Sequence, residues 1–169
     1  MNAAFRVELL AGQPRSAFRC GEAALDRYLA TQATQDMRRR VSACFVAVEV
    51  ASGEVAGFYT LAAASVPVTD LPESLTRRLP HYPAVPVARV GRLAVATAFQ
   101  GRQLGAALLA DAALRAARSE VAVHALLVDA KDDTAAAFYR HHGFVGLAAR
   151  PRVLVMPLAR LSNRLGRQA

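Results

Sequence analysis

The chain has 169 residues and 54% hydrophobic content, enough for one real core and at odds with a disordered chain. Lysine and arginine number 21 against 13 aspartates and glutamates, a formal net charge of +8; this points to a polyanion among the ligands, or to a coding bias toward arginine and alanine. No apolar run reaches the roughly 18 residues of a membrane span, and the opening MNAAFRVELLAGQPR lacks the charged start and apolar block of a secretory leader, so a cytoplasmic protein without membrane association is expected.

In chain order, Phe18-Arg19-Cys20-Gly21 leads into a segment from about Glu22 to Met37 in which Leu25, Tyr28 and Leu29 recur at helical spacing. The segment exits in Arg38-Arg39-Arg40, a run that either complements the negative end of a helix or contacts a polyanion. Cys44 to Val50 (CFVAVEV) reads as a strand, Ala51-Ser52-Gly53 as a turn, and Glu54 to Ala64 as the antiparallel partner. Five prolines from Pro67 to Pro86 mark an elaborated loop rather than sheet, within which Asp70 and Glu73 are spaced as a capping box for a short helix through Leu79. Strand character resumes from Val87 to Val95. Next come a helix from about Gln103 to Arg118, a strand from Val121 to Asp129, a helix from about Asp133 to His141, and a strand around Val153 to Met156. This alternation describes an α/β domain. Cys20 and Cys44 lack metal-type spacing and histidine neighbours, so they read as buried or idle thiols, with neither disulfide nor metal site.

The stretch FQGRQLGAALLADAALR, from Phe99 to Arg115, opens with polar and glycine residues and runs into an alanine- and leucine-rich helix. A helix start leaves N–H groups without intrahelical partners and carries partial positive charge. Gly101 and Gly105 let the backbone turn tightly and approach a ligand, and Arg102 adds a full charge. A phosphate or pyrophosphate suits such a place, although glycines before a helix also serve a plain strand-to-helix turn. The preceding strand, VARVGRLAV, supplies the strand–turn–helix context that a phosphate loop requires.

VARVGRLAVATAFQGRQLGAALL, followed about thirty residues later by DDTAAAFYRHHGF, resembles the GNAT superfamily of acetyl-CoA-dependent N-acetyltransferases. The resemblance implies an α/β (α+β) GNAT fold: a central mixed, mostly antiparallel twisted sheet flanked by helices, as one domain over residues 1–160 with a basic tail at 161–169. It implies acetyl-CoA as cosubstrate, with no metal. By the same resemblance Leu93, Ala94 and Val95 contact the pantetheine arm, and Gln100, Gly101, Arg102, Gln103, Leu104, Gly105 and Ala106 wrap the pyrophosphate. Asp132, Ala135 and Phe138 lie by the cofactor, and Tyr139 lies near its sulfur as the catalytic acid. Aligned on Gln100, Gln103 stands where the family turn has its first glycine, while Gly105 keeps the second; a register starting at Arg102 leaves Gly101 without its usual place. Asp132 stands where many relatives have an asparagine.

FRCGEAALDRYLATQA, AGFYTLAAASV, PVARVGRLAV and LLVDAKDDTAAAFYRHHGF, in that order, resemble the GNAT toxins of bacterial toxin–antitoxin pairs. This implies acetylation of the α-amino group of aminoacyl-tRNA, arrest of translation, a ribbon-helix-helix antitoxin as partner, and a homodimer.

Acetyl transfer from a thioester needs an unprotonated amine, a polarised carbonyl and a leaving thiolate that ends up protonated. A tyrosine near pKa ~10 facing a thiol near ~8.5 donates its proton uphill by about 1.5 units, or roughly 2 kcal/mol, which is small. A strand N–H near Leu93, Ala94 or Val95 suits the carbonyl, in the manner of an oxyanion hole. No carboxylate announces itself as a base, though Glu49, Glu54 and Glu73 remain open as bases through water. An α-amino group titrating near ~8 needs little help, whereas a lysine near ~10.4 needs far more. His124, His141 and His142 read as structural or solvated. Arg38, Arg39, Arg40, Arg77, Arg78, Arg89 and Arg92 are the candidates for a tRNA acceptor arm, and strand alternation keeps Arg89 and Arg92 from facing the same side. Arg160, Arg164 and Arg167 make the C-terminal end basic. Two rival readings stay open: acetylation of a small amine or protein N-terminus, and a non-catalytic CoA- or antitoxin-binding module.

Overall fold

The computed structural model describes residues 4–161, so Arg164, Arg167 and nearly all of the expected basic tail lie outside the described residues. Seven strands form one sheet: β1 (Phe5–Leu9), β2 (Ala43–Glu49), β3 (Val55–Pro67), β4 (Ala84–Val95), β5 (Ala125–Asp129), β6 (Val145–Gly146) and β7 (Val153–Pro157), in the order β1-β2-β3-β4-β5-β7-β6. Pairing is antiparallel for β1/β2, β2/β3, β5/β7 and β6/β7, and parallel for β4/β5 from Val87↔Ala125 to Val90↔Val128. The parallel pair follows from its connection, because a helix, α4 (Leu104–Ala117), crosses over between those two strands. The remaining helices are α1 (Ala23–Arg27), α2 (Ala33–Arg38), α3 (Glu73–Thr76) and α5 (Asp133–His141).

The chain forms two compact units, the first holding residues up to Ala62 together with Gly91–Ala112, the second Ala63–Val90 and the residues from Ala113 on. In the first unit the β2–β3 hairpin closes at Gly53, whose φ of +74° fits glycine and whose N–H donates to the Glu49 carbonyl. Phe58 anchors this core, with Tyr28 stacked on it at 6.2 Å and Phe18 edge-on at 5.6 Å. The predicted helix over 22–37 is present but interrupted: a π-helical turn, Tyr28–Gln32, joins α1 to α2 and carries the buried Tyr28 and Leu29. Gly57 shows how closely α4 approaches the sheet here. A Cβ at that position would lie 2.9 Å from the Ala94 carbonyl oxygen and 3.0 Å from Leu108 Cδ1.

In the second unit Val66, Leu71, Val85, Val87, Leu127 and Val155 belong to one buried cluster. β5 is buried along Ala125, Leu126, Leu127 and Val128, so its sequence is a continuous apolar run rather than an alternation.

Several predicted boundaries shift. β1 and β6 have no counterpart in the sequence reading, and β5 begins at Ala125 rather than Val121, which is 76% exposed. The proline-rich stretch gives up both ends to the sheet, since β3 runs on to Pro67 and β4 starts at Ala84. The expected Asp70/Glu73 capping box does not form. Pro72 precedes α3 without a side-chain cap, the helix stops at Thr76 rather than Leu79, and Asp70 Oδ2 accepts from Arg150 Nη2 at 3.4 Å.

Candidate active site

The residues read from the sequence fall into both units. In the first, a short 3-10 turn, Thr97–Phe99, leads from β4 into the glycine-bearing segment before α4. Gly101 has φ +80°, and Gln103 has φ +61°, the left-handed conformation that favours glycine. A side chain held there costs about 1–2 kcal/mol. The position that carries glycine in the resembling turn therefore keeps glycine's backbone conformation while holding a glutamine, which favours the register aligned on Gln100. Left-handed residues at a helix start turn successive N–H groups inward as a concave nest. At the head of the fourteen-residue α4, the N–H groups of Leu104, Gly105 and Ala106 precede the first intrahelical bond, which runs from Ala107 N to the Gln103 carbonyl at 3.2 Å. Together with the open side of Gly101, where a Cβ would meet nothing within 4 Å, this donor set fits a diphosphate.

The two polar side chains of the turn act differently from one another. Gln100 Nε2 donates to the Val95 carbonyl at 3.1 Å and to the Cys20 carbonyl at 3.3 Å, so it braces the turn against the end of β4 and the loop before α1. Arg102 stays exposed, with Nη1 3.8 Å from Glu49 Oε1 and its guanidinium 5.3 Å from the Phe99 ring centroid. That ion pair is weak in water, and the cation is held close to the turn without being committed to it. Glu49 also accepts from Ser52 Oγ at 2.7 Å. A cavity of about 370 Å³ in this unit is lined by residues that include Phe18, Arg19, Glu54, Val55, Ala96 and Phe99, and by none of residues 100–106.

At the end of β4, Ala94 is buried while Leu93 and Val95 are half-buried. The Arg92 N–H donates to the Thr60 hydroxyl at 3.0 Å, so a buried side chain there stands in for a ladder carbonyl. The Arg92 guanidinium lies 3.6 Å above the Tyr28 ring. Tyr28 Oη in turn donates to Asp36 Oδ2 at 2.9 Å, and Gln32 Nε2 donates to Asp36 Oδ1 at 3.1 Å. Burial first, then the bond to Asp36, pushes the Tyr28 phenol up to about 12. The bonds from Gln32 and Tyr28 hold the Asp36 carboxyl below its usual range, with Arg92 adding to the effect. The sequence reading gave Tyr28 only a packing role and passed over Asp36 and Thr60, because nothing local marks either contact. Arg38, Arg39 and Arg40 are all exposed at the end of α2. Arg40 has φ +59°, and the bonds Arg40 N→Met37 O and Val41 N→Asp36 O, both 3.0 Å, close a Schellman motif around it.

In the second unit Asp132 caps α5. Its Oδ1 accepts from the Ala135 N–H at 2.8 Å, so the carboxylate that the resemblance set beside a cofactor is turned to its own helix. Ala135, Phe138 and Tyr139 are half-buried along that helix. The Tyr139 ring meets Phe138 at 5.3 Å and Phe144 at 5.5 Å, both edge-on. Burial raises the phenol's pKa, and among the described residues none hydrogen-bonds its hydroxyl. The helix ends at Gly143, φ +94°, with the Gly143 and Phe144 N–H groups bonded to the Arg140 and Tyr139 carbonyls. His142 packs on Phe138 at 4.7 Å, and His124 pairs its backbone with Pro86 and Leu158, which are structural tasks. Arg77, Arg78 and Arg89 are exposed in this unit, as are Glu73 here and Glu54 in the first. Among the described residues no group of three or more histidine, cysteine, aspartate or glutamate side chains is placed to hold a metal ion, and no helix is long and apolar enough to cross a membrane.

Residues 40–146 match the family model for the acetyltransferase (GNAT) domain. The tRNA-acetylating toxin of Mycobacterium tuberculosis is 41% identical over 131 residues, 76% of each chain. Among solved structures, AtaT complexed with acetyl-methionyl-tRNAfMet has a TM-score of 0.87 at 26% identity, covering 95% of this chain and 99% of that one. A tyrosine-to-phenylalanine mutant of AtaT bound to the C-terminus of the antitoxin AtaR and acetyl-CoA has a TM-score of 0.80 at 25% identity, covering 96% and 98%. With the strand, the left-handed turn and the helix head in place and the match extending over most of its length, the chain belongs to the GNAT family of acetyltransferases.

Proposed function

We propose that the protein transfers the acetyl group of acetyl-CoA to the α-amino group of aminoacyl-tRNA and thereby arrests translation in the cytoplasm, as the toxin of a toxin–antitoxin pair. The observation that carries the cofactor half is the left-handed turn at Gln103 opening α4. The acceptor half is supported by the tRNA-acetylating relative and by the arginine-rich surface. Residues 1–160 then make up one catalytic domain that works as a homodimer, with a ribbon-helix-helix antitoxin masking basic surface when the toxin is held in check.

Acetyl-CoA supplies the thioester. The N–H groups of Leu104, Gly105 and Ala106, with Gly101, Gln103 and Arg102, bind its diphosphate, and Gln100 keeps that turn fixed to the end of β4. The backbone of Leu93, Ala94 and Val95 orients the pantetheine arm and offers an N–H to the carbonyl. Asp132, Ala135 and Phe138 form the capped start and flank of the helix that presents Tyr139. Tyr139 Oη holds its proton across the physiological range because burial disfavours the phenolate, and it releases that proton to the thiolate. No base is assigned: an α-amine with pKa near ~8 is already partly neutral. Arg38, Arg39, Arg40, Arg77, Arg78, Arg89 and Arg92 bind acceptor-arm phosphates.

Incubation with labelled acetyl-CoA and charged or uncharged tRNA tests this reading. Label on charged tRNA alone is expected. Label on neither, with a polyamine or peptide accepting it, moves the protein to small-amine or N-terminal acetylation; failure of acetyl-CoA near 1 mM to raise the melting temperature removes the cofactor assignment.

A further inference from the structure

We infer that Tyr28 and Asp36 are positioning residues that mount the Arg92 guanidinium flat, leaving its N–H edge open to take a phosphodiester of the acceptor strand. The inference rests on aminoacyl-tRNA being the acceptor. Arg92 differs from the other arginines assigned to RNA in being half-buried and fixed. Its guanidinium carbon sits 3.6 Å over the Tyr28 ring, and its backbone N–H is tied to Thr60 Oγ1. Stacking engages the face of a guanidinium and leaves its in-plane donors free, the geometry in which two of them can grip one phosphate. Among the described residues none accepts a hydrogen bond from that edge.

Asp36 is the nearby carboxylate that would ordinarily close on such a cation. Both of its oxygens already accept a hydrogen bond, Oδ2 from Tyr28 Oη and Oδ1 from Gln32 Nε2, so it sits beside Arg92 without occupying its donors. The π-helical turn Tyr28–Gln32 begins and ends with the two residues that hold Asp36 in this way. A π turn inside a helix is rare and often marks a functional site. The half-buried guanidinium keeps its in-plane donors accessible, so an arriving phosphate displaces water from them rather than a protein partner. Arg92 also immediately precedes Leu93, the first of the β4 residues assigned to the thioester arm, so a phosphate held here places the attached aminoacyl end by that part of the strand. Exposed Arg38, Arg39 and Arg40 at the end of the same helix attract RNA from a distance, while Arg92 fixes its register.

A phosphate on that edge has two sources, the acceptor strand or acetyl-CoA, and binding measured separately for each tells them apart. In salt titrations of aminoacyl-tRNA binding without acetyl-CoA, Arg92→Gln is expected to weaken affinity about tenfold and to flatten the log–log salt slope by about 0.7–1, the loss of one phosphate contact. Its affinity for acetyl-CoA should stay within about twofold of wild type. Tyr28→Leu, which removes the ring face, should reproduce both effects on RNA, and Tyr28→Phe, which keeps the ring but frees Asp36 Oδ2, should fall between Tyr28→Leu and wild type. Should Tyr28→Leu fail to fold, Arg92→Gln and Arg92→Lys still decide, the lysine keeping charge without the flat fork and falling between wild type and glutamine. Unchanged RNA affinity and slope in Arg92→Gln, or a loss confined to acetyl-CoA, overturns the inference. A wild-type protein that leaves aminoacyl-tRNA unacetylated defeats the proposed function as well; a wild type that acetylates it while these variants bind RNA normally defeats the inference alone.

Discussion

At the end of α5 the N–H groups of Gly143 and Phe144 turn back to the Arg140 and Tyr139 carbonyls, and Gly143 takes the left-handed conformation at φ +94°. At the end of α2 the N–H groups of Arg40 and Val41 turn back to the Met37 and Asp36 carbonyls in the same motif, but the left-handed residue, at φ +59°, is an arginine. Glycine adopts this conformation freely, and a side chain there costs about 1 kcal/mol or more. The α5 end needs only to stop the helix that presents Tyr139. The α2 end bears a backbone penalty that a cation at the negative end of the helix offsets only in part, so the RNA contact proposed for Arg40 is what sets the two ends apart in the tests below. Gln103, the other non-glycine residue at positive φ among those described, carries the same backbone penalty at the head of α4.

The largest effect expected on the α5 side is chemical. Tyr139→Phe should lower kcat by about 10²-fold or more in single-turnover acetylation while acetyl-CoA still raises the melting temperature. A fully active variant would leave α5 with a purely structural task. The pH profile sharpens the point. Burial raises the Tyr139 pKa above its ordinary value, so the acid form persists well beyond the ionisation of the acceptor amine, which loses its proton near ~8. For the wild type, kcat/KM should therefore rise through one ionisation near ~8 and then stay level as the pH climbs further; a second, falling limb close above the first would contradict the assignment of Tyr139 as the acid.

On the α2 side the effect is on RNA. Replacing Arg39 and Arg40 by glutamate should weaken tRNA binding roughly tenfold and reduce its salt dependence, as read by anisotropy titrations at several ionic strengths, without changing acetyl-CoA affinity. Exchanging the two helix ends separates conformation from charge. Arg40→Gly should stabilise the fold by about 1 kcal/mol and Gly143→Arg should destabilise it by a similar amount in denaturant melts, with only the former weakening tRNA binding. A Cβ at Gly143 meets only Met156 Sδ, at 4.0 Å, so the penalty there comes from the backbone rather than from a clash. Equal stabilities in all three proteins would remove the argument from strain. Gln103→Gly should show the smallest change, a gain of about 1 kcal/mol with acetyl-CoA affinity retained or improved.

How much of this was legible in the sequence depended on how local its cause was. The bounds of α5 follow from Asp132 as cap, its helix-forming alanines and Gly143, all within a dozen residues, and the structure reproduces them. The glycine-bearing turn before α4 is equally local, and its glycine spacing is readable even with glutamine at position 103. Asp70 and Glu73 have capping-box spacing, yet prolines at positions 67 and 72 set the backbone around them and a distant arginine, Arg150, takes the carboxylate. Gln100 was read as a cofactor contact, while one of its partners, the Cys20 carbonyl, lies 80 residues away and no pattern predicts it. The Tyr28–Arg92 stack was hidden for the same reason. β1 and β6, of five and two residues, are held by pairing with β2 and β7 rather than by an apolar pattern of their own.

The most direct test of the account is the chemical identity of the product. After reaction with acetyl-CoA, aminoacyl-tRNA is digested with ribonuclease and the released aminoacyl-adenosine is analysed by mass spectrometry. An acetyl group on the α-amine, absent with Tyr139→Phe, is the predicted result; an unmodified aminoacyl-adenosine, or acetyl on the ribose or a base, would contradict it.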